Sequence, residues 1–174
     1  MTTSMPTVLA ERIAAAFRPG PYQLPDGRTL NSYFDPYRLT ADPLLLRETA
    51  AALAALLPPD TEVVAGPALA AIPLVTAVSL HTGLPAAYVR AAPKGHGTWR
   101  QIEGTDPDGR RTVLIDDTAR SGASLLRGAR LLRIAGARVT AAACVLDRDA
   151  GAAALLTEHR MTLSALLTDP GGIQ

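Results

Sequence analysis

The stretch that decides the fold is Thr112–Leu132, which reads TVLIDDTARSGASLLRGARLL. Its first four residues, 112–115, are apolar or β-branched, which is typical of a buried strand in a parallel sheet. Two adjacent carboxylates, Asp116 and Asp117, come next, and a loop of small residues covers positions 118–124. Apolar residues then recur at helical spacing. The stretch therefore predicts a strand, a loop and a helix, which together form half of a βαβ unit.

The loop after this strand is a candidate phosphate site. It lies at the carboxyl end of the strand, which is where open α/β sheets bind their ligands. Small residues let several backbone N–H groups point at one anion, and the positive end of the following helix adds to the attraction. Asp116 and Asp117 cannot bind the same phosphate, so we expect them to hold sugar hydroxyls, a metal ion or both. The alternative is a doubly wound sheet in which the two acids only cap the next turn.

Composition predicts one soluble domain. The chain has 174 residues, of which 48% are hydrophobic and 19% charged, which is typical of a globular protein with a sizeable core. A net charge of +1 gives no general case for nucleic acid or a membrane surface. No apolar run reaches the ~18 residues of a membrane span, and we see no secretory leader. The lone cysteine, Cys144, lies in an apolar run, which favours an inert core thiol and a cytoplasmic location.

Strand and helix patterns alternate from residue 43 to 146, which predicts a parallel sheet with right-handed crossovers. Asp42-Pro43 is typical of a helix start, with an N-cap and then proline at the first helical position. Residues 91–104 show no periodicity and contain three glycines, which predicts a mobile loop or a loose hairpin. Neither residues 1–40 nor residues 150–174 fit the alternation. We expect both to form a hood over the carboxyl edge of a core that spans about 43–148.

The two acids followed by Thr-x-x-Ser-Gly-x-Ser resemble the phosphoribosyl-pyrophosphate (PRPP) motif of the type I phosphoribosyltransferases. From about residue 20 to 148 the chain is similar to the orotate phosphoribosyltransferases, because four other segments also match that family in order. They are the base-pocket segment Asn31–Asp35, the pyrophosphate loop Gly66–Leu74, the flexible catalytic loop Tyr88–Gly104 and the strand end Leu146–Arg148. The resemblance implies the type I phosphoribosyltransferase fold, an α/β fold in which helices flank a parallel sheet and a small hood covers it.

The resemblance also implies a function. It is Mg²⁺-dependent transfer of the phosphoribosyl group from PRPP to orotate, giving orotidine 5′-monophosphate and pyrophosphate, in a homodimer with shared active sites. PRPP holds most of the Mg²⁺ coordination, with Asp116 and Asp117 nearby. The residues implied in PRPP binding are Asp116, Asp117, Thr118, Ala119, Arg120, Ser121, Gly122, Ala123, Ser124, Ala68, Leu69 and Ala70. Those implied in catalysis are Arg90, Lys94, His96 and Asp117, and those implied in base binding are Tyr33, Phe34 and Arg148.

The chemistry of the reaction agrees with the three basic residues of the catalytic loop. Displacing pyrophosphate from a ribose carbon passes through an oxocarbenium-like state, while negative charge grows on the leaving group. Arg90, Lys94 and His96 supply positive charge and proton donation on a segment able to close over the site. Each assignment has an alternative. The loop residues could form a solvated basic loop, Tyr33 and Phe34 could be ordinary core residues, and Arg148 could pair with Asp147 or Asp149 on a surface turn.

The chain departs from the family at three positions that usually carry lysine, which are Pro25, Ala70 and Ala91. Arg120 is a departure of the opposite kind, since the family usually has a small or β-branched residue there, and we hypothesise that it restores one positive charge. Three functions remain open. The first is an orotate phosphoribosyltransferase, the second a paralogue that uses another base or nucleophile, and the third a non-catalytic PRPP-binding regulator. We expect no nucleic-acid and no membrane partner.

Overall fold

Strands and helices alternate along the part of the chain that the computed structural model describes, residues 6–23, 27, 29–93 and 100–169. The elements in chain order are α1 Thr7–Ala14, β1 Phe17–Gln23, β2 Thr29–Phe34, α2 Pro36–Thr40, α3 Pro43–Ala54, β3 Val63–Pro67, α4 Ala71–Thr82, β4 Ala86–Val89, β5 Ile102–Gly104, β6 Arg111–Ala119, α5 Ala123–Ile134, β7 Arg138–Asp147, α6 Ala152–Glu158 and β8 Thr162–Thr168. Within these residues, no helix is both long and apolar enough to cross a membrane.

A six-stranded sheet in the order β5-β4-β3-β6-β7-β8 forms the centre of the fold. All neighbours are parallel except β4 and β5, which pair antiparallel. β6 occupies the inner position predicted from residues 112–115, but it is longer, because its pairing with β7 continues from Asp116↔Cys144 to Ala119↔Asp147. Asp116 and Asp117 therefore belong to the carboxyl end of the strand itself, where paired neighbours fix their backbone.

Two apolar cores lie on the two faces of this sheet. Side chains alternate along β6, so that Ile115 joins the core with α3 and α4 while Leu114 joins the core with α5 and α6. The predicted start of α3 is confirmed, since the Asp42 side chain accepts hydrogen bonds from the N–H groups of Leu44 and Leu45 at 2.9 and 3.0 Å. Cys144 is buried in the second core, as expected for an inert thiol, and burial raises the pKa of that thiol.

An N-terminal hairpin covers the carboxyl ends of β6 and β7. β1 and β2 pair antiparallel as a separate two-stranded sheet, and the edge of the Phe17 ring meets the Phe34 ring with centroids 5.3 Å apart. The Asp35 side chain caps α2 through the N–H groups of residues 37 and 38. The same carboxylate pairs with Arg18 at 2.8 Å, which ties the two ends of the hairpin together. This hairpin is the N-terminal part of the hood.

The expectation that residues 150–174 belong to the hood is corrected by the structure. α6 and β8 continue the helix–strand alternation, and β8 pairs in parallel with β7 from Ala141↔Thr162 to Asp147↔Thr168. The sequence pattern is weak there because β8 is an edge strand with mostly half-buried residues and α6 has only seven residues. The sheet therefore extends to residue 168, and the remaining part of the tail, 170–174, lies outside the described residues.

Candidate active site

The acid pair faces two adjoining cavities at the carboxyl end of β6. Asp116 is buried, and its Oδ1 accepts a hydrogen bond from the Asp117 N–H at 2.9 Å. Asp117 is partly exposed, and its Oδ2 accepts a hydrogen bond from the Thr118 hydroxyl at 2.9 Å. Asp116 lines a smaller cavity and Asp117 a larger one. Neither acid caps the following helix, whose N-cap is Gly122, so the capping alternative is not what the structure shows.

Burial raises the pKa of Asp116 well above its usual range, and the neighbouring charge of Asp117 raises it further. The charged form of Asp116 is therefore costly while no partner offsets it. A hydroxyl donor or a cation beside the pair would favour the charged form again. Such a carboxylate suits a ligand that brings sugar hydroxyls or a metal ion.

The smaller cavity, of about 120 Å³, is lined by the loop predicted to hold a phosphate, residues 118–124, together with Asp116 and Leu125. Gly122 precedes α5 with φ +76°, and a Cβ there would lie 3.1 Å from the Cα of Ala152. This position favours glycine, because both the backbone angle and the close approach of α6 would strain a side chain there. The loop thus delivers backbone N–H groups at the start of a 12-residue helix, an arrangement that attracts anions.

The predicted pyrophosphate loop has its implied PRPP-binding residues, Ala68–Ala70, directly after β3, the strand beside β6. The Ala68–Leu69 peptide bond is cis, and the Ala68 N–H donates to the carbonyl of Val89 at 2.7 Å. Gly66 brings this loop close to the acid pair, because a Cβ at that position would lie 2.6 Å from the Ile115 carbonyl oxygen. The structure therefore brings the loop together with the PRPP motif, although Ala70 offers no charge.

The larger cavity, of about 330 Å³, lies between the N-terminal hairpin and the ends of β6 and β7. Tyr33 is 41% exposed at this cavity, whereas Phe34 is only 5% exposed and also belongs to the core. Phe34 therefore lines the cavity and is also a core residue, and its role in base binding stays a prediction. The ten lining residues are Tyr22, Gln23, Leu30, Ser32, Tyr33, Phe34, Asp117, Thr118, Arg120 and Arg148.

Arg148 lies at the end of β7 in this cavity and is only 5% exposed. Its Nη1 lies 3.2 Å from Oδ2 of Asp169, and its guanidinium carbon lies 5.5 Å from the centre of the Phe17 ring. Among the described residues, Nη2 is buried without a hydrogen-bond partner. The surface pairing with Asp147 or Asp149 is therefore wrong, and the free N–H groups of a buried cation favour an anionic ligand.

The structure describes only part of the predicted catalytic loop. Arg90 is exposed just after β4, where its N–H donates to the carbonyl of Gln101 at 2.9 Å. The pairing of β4 with β5 agrees with a loose hairpin at its base. Lys94 and His96 lie outside the described residues, as does Pro25, so their roles stay predictions.

Sequence reasoning did not identify Tyr22, Gln23 and Leu30 as lining residues, nor Asp169 as the partner of Arg148. The Tyr22 and Tyr33 rings lie 5.5 Å apart across the hairpin. The alternation of apolar and polar residues around Tyr33 was a signal for this hairpin. For Asp169 there was no local signal, because it meets Arg148 only through the pairing of β7 with β8.

Comparison with known proteins agrees with this geometry. Residues 43–166 match the family described as the phosphoribosyl transferase domain. The orotate phosphoribosyltransferase of Thermococcus gammatolerans is 40% identical over 146 residues, which are 82% of this chain and 77% of that protein. The orotate phosphoribosyltransferase of a Nocardioides species is 37% identical over 162 residues, 93% of this chain and 90% of that protein.

Solved structures give the same result. The orotate phosphoribosyltransferase of Mycobacterium tuberculosis in complex with PRPP superposes with a TM-score of 0.79 at 27% identity, over 92% of this chain and 94% of that chain. The family and the fold expected from the sequence are thereby confirmed. With its PRPP motif between two cavities on a mostly parallel sheet, this chain belongs to the orotate phosphoribosyltransferases, a family of pentosyltransferase enzymes with the type I phosphoribosyltransferase fold.

Proposed function

We propose that the protein transfers the phosphoribosyl group of PRPP to orotate in a Mg²⁺-dependent reaction that yields orotidine 5′-monophosphate and pyrophosphate. The observation that carries the proposal is the buried, incompletely paired Arg148 in a cavity that adjoins the PRPP motif. A planar guanidinium with free N–H groups is suited to a carboxylate, and orotate carries one. The relatives named orotate phosphoribosyltransferase support the same choice.

Each part of the site has one task in this proposal. The loop 118–124 binds the 5′-phosphate through its backbone N–H groups. Asp117, the partly exposed member of the acid pair, accepts hydrogen bonds from the ribose hydroxyls, with Asp116 behind it. Arg148 orients the base so that its ring nitrogen faces the ribose C1′. The bond from C1′ to pyrophosphate then breaks as the bond to that nitrogen forms, and the proton of the nitrogen passes to the departing pyrophosphate.

The acid pair fits a Mg²⁺ ion held mainly by the substrate. Among the described residues, no group of three or more His, Cys, Asp or Glu side chains is arranged to hold a metal ion. Asp116 and Asp117 offer carboxylate oxygens at the carboxyl end of β6, and Mg²⁺ is commonly bound by one or two carboxylates together with substrate phosphates and waters. When bound there, the ion neutralises charge on the departing pyrophosphate.

The catalytic loop and the assembly complete the proposal. Arg90, Lys94 and His96 surround the leaving group with positive charge and exclude water when the loop closes. The protein acts as a homodimer in which this loop reaches the neighbouring site, by analogy with the family. It works in the cytoplasm, which suits its single buried cysteine.

The test is a base panel with PRPP and Mg²⁺, in which pyrophosphate release and nucleotide formation are both followed. We expect release with orotate, loss of release with a chelator, and loss of release in Asp117→Asn. Asp106→Asn is the matched control, because Asp106 is an exposed turn residue that lines neither cavity of the site. Release with another base but not with orotate would identify a paralogue, which the altered pocket segment with proline at position 25 favours. PRPP binding without release from any base would identify a PRPP-binding regulator.

A further inference from the structure

Arg120 occupies the junction between the two cavities. It is half-buried in the phosphate loop and lines both the smaller cavity and the larger one. The described residues provide its guanidinium with neither a hydrogen bond nor an ion pair. A cation so placed is available to a ligand from two sides, and the five N–H donors of a guanidinium can meet two anionic groups at once.

The charges that line the larger cavity show why a cation is needed there. Asp117 contributes a carboxylate, and the charge of Arg148 is offset by Asp169 at 3.2 Å. Without Arg120, the lining and Asp169 together would carry one uncompensated negative charge, which would repel a base that is itself anionic. With Arg120 this set of charges is balanced, and the buried Nη2 of Arg148 remains available to an acidic substituent.

We propose that Arg120 is a specificity-determining residue, which makes the site prefer a base with a carboxylate over the same base without one. The inference rests on the proposed function and names the residue by which that site distinguishes orotate from uracil. In the bound nucleotide, the guanidinium lies between the 5′-phosphate in the smaller cavity and the carboxylate in the larger one. It offsets the repulsion between these two groups as well as the repulsion from Asp117.

The test compares the binding of two product nucleotides by calorimetry. Orotidine 5′-monophosphate and uridine 5′-monophosphate share ribose and phosphate and differ only in the carboxylate. We expect the wild-type protein to bind the orotidine nucleotide more tightly. In Arg120→Gln we expect this preference to fall by about ten- to a hundredfold, the usual range for a hydrogen bond to a charged group. Arg120→Lys keeps the charge without the planar fork, so we expect it to retain part of the preference.

Arg127→Gln is the matched control, because Arg127 is exposed on α5, lines neither cavity of the site and lies seven residues further along the chain. It should leave the preference unchanged. Retained binding of the uridine nucleotide shows that Arg120→Gln is folded. An undiminished preference in Arg120→Gln overturns the role of Arg120 in specificity and leaves the proposed function standing. If that undiminished preference comes with an equal loss of affinity for both nucleotides, Arg120 is a phosphate ligand only. A wild-type protein without any preference contradicts the proposed base specificity, and the role of Arg120 with it.

Discussion

Replacing Arg148 with methionine should separate the role of this residue in binding from its role in stability. Arg148 is buried, and the free energy of unfolding contains opposing contributions from it. The pairing with Asp169, whose side chain is 34% exposed, contributes up to about 1 kcal/mol because solvent screens it. The contact with Phe17 contributes up to about 2 kcal/mol. Against these stand a desolvation cost of several kcal/mol for the guanidinium and about 1–3 kcal/mol for the unpartnered Nη2.

The costs equal or exceed these gains, so we expect Arg148→Met either to leave the free energy of unfolding within about 1 kcal/mol of the wild type or to raise it. Binding should respond very differently, because the variant loses charge-assisted hydrogen bonds to the carboxylate. A loss of about 1.5–3 kcal/mol corresponds to roughly a 10- to 150-fold increase in the dissociation constant of orotate. The affinity for PRPP should change little, since the phosphate loop is intact.

Urea denaturation and calorimetric titration measure the two quantities on the same preparation. Arg148→Lys is the companion variant, because it keeps the charge and removes the planar fork. We expect it to bind orotate more weakly than the wild type. A drop of more than about 3 kcal/mol in the unfolding free energy of Arg148→Met, together with unchanged orotate affinity, would refute the reasoning. In that case the residue would be a structural partner of Asp169.

Three further predictions follow from the site. Asp117→Asn should weaken PRPP binding itself, whereas Lys94→Ala should lower turnover far more than PRPP binding, because a loop charge acts mainly in the transition state. Binding and single-turnover measurements test this difference, and the same defect in both variants would contradict it. Gly66→Ala places a Cβ 2.6 Å from a backbone oxygen of β6, so it should lower the free energy of unfolding, measured with urea, by about 1–3 kcal/mol. Gly128→Ala is the control, because its Cβ meets only a flexible leucine side chain at 3.3 Å, and it should leave the free energy of unfolding nearly unchanged. The pKa of Asp116 is raised in the folded state, so its protonated form contributes stability that is fully present below the ordinary aspartate pKa of about 3.9 and is lost as the pH rises toward the folded pKa. Asp116→Asn cannot ionise, so its free energy of unfolding should increase relative to that of the wild type over this pH range. A difference between the two proteins that does not depend on pH would contradict the raised pKa.

Local patterns were sufficient for the central part of the fold and of the site. The apolar residues before Asp116, the small residues after Asp117 and the Asp42-Pro43 helix start act over a few neighbouring residues, so their structure follows from the sequence alone. Pairing between distant segments was not predictable in this way. β8 is a half-buried edge strand whose position depends on β7, and the sequence gives no local sign of the contact between Arg148 and Asp169.

The surroundings of Arg148 relate the site to the order of synthesis. Phe17 comes from the first strand of the described chain, and Asp169 follows directly after the last one. A growing chain that has reached the end of β7 already contains the phosphate loop and both acids, but its arginine still lacks its counter-ion. Since synthesis proceeds from the N-terminus, the loop that we propose to bind phosphate is made before the arginine that we propose to bind the base has its counter-ion. Under the proposed function, competence to bind the base is thus acquired with the last strand of the described chain.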